Sequence, residues 1–136
     1  MFNFLCLHLD KNSLTHIFQD KISSLVIDVV HHDYRHIKDD THSIIFAYIL
    51  TLFSKLKYLD YRSEYWRQRL FQISSTISSS SLLELHVKMD EFTDCLYIFD
   101  GRFESLEKVS VYIYRMNSQI GIDNRVNYLS IIFRNQ

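Results

Sequence analysis

Between Leu82 and Ile113 the chain runs LLELHVKMDEFTDCLYIFDGRFESLEKVSVYI. The two ends of this stretch share one spacing, Leu82-x-x-Leu85-x-Val87-x-Met89 and Leu106-x-x-Val109-x-Val111-x-Ile113. Alternation with period two sends one side of a short strand into a core, and the apolar residue three positions earlier anchors the turn into that strand. Between the two copies, Thr93 or Asp94 can cap a helical stretch through CLYIF, which Gly101 can end in a left-handed conformation. Strand, helical return and strand describe a parallel pair joined by a crossover, which needs about a dozen residues or more.

The same pattern returns along the chain. Further copies are Phe2-x-x-Leu5-x-Leu7-x-Leu9, Ile22-x-x-Leu25-x-Ile27-x-Val29, a weaker Leu56-x-x-Leu59-x-Tyr61, and Val126-x-x-Leu129-x-Ile131-x-Phe133. The markers Leu5, Leu25, Leu59, Leu85, Val109 and Leu129 stand 20, 34, 26, 24 and 20 residues apart. Most of these steps fall within the roughly 20 to 29 residues of a leucine-rich repeat. The expected fold is α/β, a leucine-rich-repeat-like right-handed solenoid with a curved parallel sheet and helices on its outer face. One domain over 1–136 is expected, with about six irregular units and no cap at either end. A generic α/β sandwich is the competing reading. It would need central strands apolar on both faces, whereas every strand here alternates.

The intervals hold candidate helices. Thr41 can cap HSIIFAYILTLFSKL, with Ile44, Ile45, Tyr48, Leu52 and Phe53 expected to face inward. Asn12 or Ser13 can cap a short helix through Leu14, Ile17 and Phe18, while Tyr65 to Ile77 reads as helix or irregular turn.

Composition limits the function. Fifteen Lys and Arg against 16 Asp and Glu leave no field for a nucleic-acid backbone or an anionic membrane. The longest apolar run, Ser43 to Phe53, is well short of the roughly 20 residues of a transmembrane helix. Cys6 and Cys95 form no CxxC pair, which argues against a disulfide framework and against a cysteine zinc site. A reducing compartment, cytoplasmic or nuclear, fits best.

The segments SSLVIDVV, LFSKLKYLDY, NYLSIIF and above all LLELHVKMDEFTDCLYIFDGRFESL resemble the repeat region of F-box proteins with degenerate leucine-rich repeats. The resemblance covers most of the chain from about Ser13. It implies that the repeats recruit a target protein for a cullin ubiquitin ligase, whose adaptor docks on an F-box upstream of them. The F-box itself has no counterpart here, and the chain has no Pro. The expectation is a substrate-recognition module or a fragment of one, with a free-standing repeat scaffold as the alternative.

If the six patterns are parallel neighbours, their outward positions line up into rows on the concave face. The first is Phe4, Ser24, Tyr58, Glu84, Lys108 and Tyr128, and the second is Cys6, Val26, Asp60, His86, Ser110 and Ser130. His8, Asp28, Arg62, Lys88, Tyr112 and Ile132 make the third. Aromatic and arginine side chains carry most interface energy, so Tyr58, Arg62, His86, Lys88 and Tyr112 are the expected partner-binding residues. An ordinary solvated face, with Glu84 and Lys108 as a simple cross-strand pair, is the alternative.

Chemistry is sparse. HHDYRHIKDDTH, His31 to His42, holds four His and three Asp and is the one candidate for a metal-dependent hydrolase. It lacks HExxH and reads as a surface loop, so no metal, cofactor or catalytic residue is expected. Gly101 and Gly121 are too isolated for a phosphate loop, SSTISSSS has no nucleophile elbow, and Cys95 reads as a buried small residue.

Overall fold

A computed structural model describes residues 15–29, 41–63, 70, 77–115 and 127–132. The elements are α1 (Thr15–Phe18), β1 (Ser24–Val29), α2 (Thr41–Leu52), β2 (Tyr58–Ser63), β3 (Glu84–Glu91), α3 (Phe92–Leu96), β4 (Lys108–Arg115) and β5 (Asn127–Ile132). The strands form one sheet in chain order, β1-β2-β3-β4-β5. The first four run parallel, so the architecture is α/β with crossover connections.

The alternation read in the sequence is the alternation of the sheet. Leu25, Leu59, Leu85 and Val109 sit opposite one another in register and are buried. Ile27, Tyr61, Val87 and Val111 form the next buried row. The leading apolar residues Ile22, Leu56, Leu82 and Leu106 are buried as well, which is what an anchor into each strand requires.

β2, β3 and β4 are entered in the same way. The N–H groups of Lys57 and Tyr58 both donate to Ser23 O, at 2.8 and 3.0 Å. Those of Leu83 and Glu84 donate to Lys57 O at 2.8 and 2.9 Å, and those of Glu107 and Lys108 to Leu83 O at 2.8 and 3.0 Å. Serines stitch the turns together, Ser81 Oγ donating to Leu56 O at 3.0 Å and Ser105 Oγ to Ser80 O at 2.6 Å.

β5 departs from the expectation of six parallel units, because it pairs antiparallel with β4. Eleven residues separate Arg115 from Asn127, against 16 in the shortest parallel connection, from Glu91 to Lys108. A parallel crossover takes about a dozen residues or more, so the short interval suits a direct return. The rows are reversed at this strand: Ile132 lies opposite Lys108 and Tyr128 opposite Tyr112. The first pattern, Phe2 to Leu9, lies outside the described residues, as do Trp66 and most of Tyr65 to Ile77.

α2 begins at the expected Thr41 but shows a different face. Ile44 and Tyr48 are exposed and Ile45 and Leu52 half-buried, while His42, Ser43, Phe46, Ile49, Leu50 and Phe53 are buried. The helix is apolar almost all round, so spacing alone admits several inward stripes. Tyr61 selects among them: its ring meets Phe46 edge-on at 5.7 Å, and its hydroxyl lies 2.9 Å from His42 Nδ1. Ser63 Oγ lies 3.4 Å from His42 Nε2, so the buried imidazole has a hydroxyl at each nitrogen. Ile17 and Phe18 lie on the short α1 and are exposed.

α3 starts and ends earlier than read, with Glu91 and not Thr93 or Asp94 at its N-cap. It ends at Leu96, and successive i to i−3 turns carry the chain to Phe99 before Gly101 takes φ +97. Cys95 is fully buried, as expected, and burial, assisted by the Asp94 charge, pushes its thiol up to about 11. Among the described residues no helix is long and apolar enough to cross a membrane.

Candidate functional site

Parallel register brings the five expected residues to one side of β2, β3 and β4, opposite the side that packs on α2. Tyr58, Glu84 and Lys108 form the row at the strand starts, and Asp60, His86 and Ser110 the middle row. Asp28 and Arg62 are paired across β1 and β2, and Lys88 and Tyr112 across β3 and β4, at the strand ends. Arg62, Lys88 and Tyr112 are exposed, while Tyr58 and His86 are half-buried.

The charges on this side are interlocked. Arg62 Nε and Nη2 both donate to Asp60 Oδ2, at 3.0 and 2.5 Å. These hydrogen bonds raise the Arg62 guanidinium above its ordinary value. They also compensate the Asp60 carboxylate, which is only 7% exposed. His86 Nε2 lies 2.6 Å from Glu84 Oε1, and Lys108 Nζ lies 2.9 Å from the same oxygen. Burial works to raise the Glu84 carboxyl, but hydrogen bonds from Lys108 and His86 prevail and hold it below the ordinary range. The rings of Tyr58 and His86 are 5.3 Å apart at 43°, and burial, then the Asp60 and Glu84 charges, push the Tyr58 phenol up.

Two features were missed in the sequence. Asp60, placed among outward residues, is nearly buried because Arg62 folds back over it. A hollow of about 430 Å³ opens at the strand starts between Tyr58, Leu83 and Ile132, with the Glu84–Lys108 pair in its lining. No signal in the sequence foretold it, because the antiparallel return of β5 is what brings Ile132 beside Lys108.

Residues 31–40 of the expected metal loop lie outside the described residues. His42, its last member, is a buried residue of α2 engaged with hydroxyls of β2. Among the described residues no group of three His, Cys, Asp or Glu side chains could hold a metal ion. No family model, no curated protein and no solved structure matches the chain.

Proposed function

We propose that the chain is a leucine-rich-repeat-like module whose open sheet face binds another protein, and that it is not an enzyme. The observation that carries this reading is the gathering of Tyr58, Arg62, His86, Lys88 and Tyr112 on one accessible side of three adjacent strands. Their spacing is set by strands of fixed separation, so little order is lost when a partner meets them. The recurring hydrogen bonds at Ser23, Lys57 and Leu83 support a stack of equivalent units, and a right-handed solenoid is the form such a stack takes when each crossover has the usual hand.

The finer reading is that these repeats recruit a substrate to a cullin-type ubiquitin ligase, from a cytoplasmic or nuclear location. It is supported by the resemblance of Leu82 to Leu106 to F-box repeat regions. In that arrangement the adaptor contacts an F-box and not the sheet face.

The test is partner capture by crosslinking, followed by titration of the purified partner against single alanine variants at the five positions. Arg62→Ala and Tyr112→Ala are expected to weaken binding about tenfold or more. Five variants that all bind like the wild type would place the contact elsewhere. For the ligase role, adaptor and cullin should co-purify with the natural gene product, and their absence would leave a free-standing binding scaffold.

A further inference from the structure

We infer that His86 offers the partner a hydrogen-bond acceptor, its Nδ1 lone pair, and so selects a segment that places a neutral N–H or O–H group over the middle of the open face. This deepens the protein-binding reading and rests on it.

The neighbours of the ring decide which nitrogen carries the proton. His86 Nε2 lies 2.6 Å from Glu84 Oε1, and Lys108 Nζ lies 2.9 Å from the same oxygen. An oxygen held by an ammonium group at this distance belongs to an ionised carboxylate, which only accepts hydrogen bonds. Nε2 is therefore the donor. A neutral imidazole carries a single N–H, so with that proton on Nε2 the other nitrogen keeps a lone pair.

Nδ1 is open. It makes no hydrogen bond among the described residues and is not one of the buried polar atoms that lack a partner, so solvent reaches it. The His86 side chain as a whole is 24% exposed. The contact with Glu84 and the Tyr58 ring, 5.3 Å away, hold the imidazole in place. An acceptor on a ring already fixed costs a partner little further ordering.

The surrounding charges narrow the donor. His86 stands in register with Asp60 on β2 and Ser110 on β4. Tyr58 and Arg62 are thus its diagonal neighbours on one side, Lys108 and Tyr112 those on the other, with Glu84 and Lys88 on its own strand. Asp60 is bonded to Arg62, and Glu84 to His86 and Lys108. Arg62 and Lys88 are exposed, so an ammonium or guanidinium donor would meet like charge beside the ring. A carboxylate would meet the lone pair itself. A hydroxyl or an amide N–H meets neither obstacle. Acid reverses the fit, because a second proton can enter the ring only at Nδ1 and turns the acceptor into a donor.

Two measurements test this. Nitrogen-15 spectra, with the His86 signals identified by their loss in His86→Gln, should show the neutral ring protonated on Nε2, and a neutral ring protonated on Nδ1 overturns the inference. For binding, a displayed library of His-free linear peptides is selected on the wild type at about pH 8, above the range in which imidazole side chains take up a proton. The Asn carboxamide reaches as far as Nδ1 and keeps an acceptor there, whereas that of Gln reaches as far as Nε2 and keeps only the contact with Glu84. A selected peptide should bind His86→Gln roughly three- to tenfold more weakly and His86→Asn within about twofold of the wild type. Acidification to about pH 5 should weaken binding to the wild type and leave His86→Asn unchanged. The spectrum and the acid titration use the wild-type chain, so they decide even where a variant does not fold. Peptides that bind His86→Gln as well as the wild type, or bind the wild type more tightly in acid, overturn the inference. If those peptides lose affinity for Arg62→Ala and Tyr112→Ala, the protein-binding face stands and the acceptor falls. If they are indifferent to all the variants, both fall.

Discussion

Replacing Leu85 with alanine probes the repeat where its layers meet. Leu85 has no exposed surface and lies between Leu59 on β2 and Val109 on β4, each also fully buried. Truncation removes three carbons from a site closed on both sides by in-register neighbours, so little collapse is available to fill the gap. Leu→Ala changes at such sites cost about 2 to 5 kcal/mol, of which the lost transfer energy is only part and the cavity the rest. A value near 3 kcal/mol lowers the melting temperature of a chain this size by roughly 10 °C. Urea denaturation followed by far-ultraviolet circular dichroism should show a lower midpoint at unchanged slope. Lys88→Ala, three residues on and outward, should stay within about 0.5 to 1 kcal/mol of the wild type. Leu85→Asp, which puts a charge into the stack, should fail to fold stably. If Lys88→Ala costs more than Leu85→Ala, the assignment of inward and outward positions is wrong.

Further predictions concern the polar groups. Tyr61→Phe removes the hydroxyl that meets buried His42 Nδ1 at 2.9 Å, and should cost about 1 to 3 kcal/mol in urea denaturation. Burial raises the Tyr61 phenol, so its phenolate absorption should emerge only when the protein unfolds in alkali. Cys95, with its thiol pushed up to about 11 and no exposed surface, should resist alkylation mapped by mass spectrometry at neutral pH until denaturant is added. The Glu84 carboxyl is held below its ordinary range, so its contribution to stability is present above that range and is lost as pH falls through the lowered folded value. Glu84 is 30% exposed, so the effect should be well under about 1 kcal/mol, and Lys108→Met should shrink it in acid denaturation curves.

The legibility of the sequence varied with how many constraints each element carries. β1 to β4 were readable because each couples an anchoring apolar residue to a two-period strand, and the pairings Ser24 with Tyr58, Tyr58 with Glu84 and Glu84 with Lys108 follow from aligning the anchors. The same alignment misled at Val126 to Phe133, because the pattern fixes which side of a strand is apolar and is silent on its direction. α2 shows the limit of periodicity in an apolar helix. Its start was marked by Thr41, but its buried face depended on a tertiary partner, Tyr61, that spacing does not reveal. The five expected contact residues could be placed on one side from register alone. The salt links that hold them, Arg62 folding back to Asp60 and Glu84 shared by His86 and Lys108, need side-chain geometry.

The parallel, in-register sheet is the claim on which the proposed binding face depends, and contacts between backbone protons in solution test it most directly. Nuclear Overhauser spectra should show cross-strand contacts linking Tyr58 with Glu84 and Glu84 with Lys108, together with close α-proton pairs between β4 and β5 alone, as antiparallel pairing requires. Contacts linking Tyr58 with Leu85, one residue out of step, would turn Leu85 outward and contradict the account.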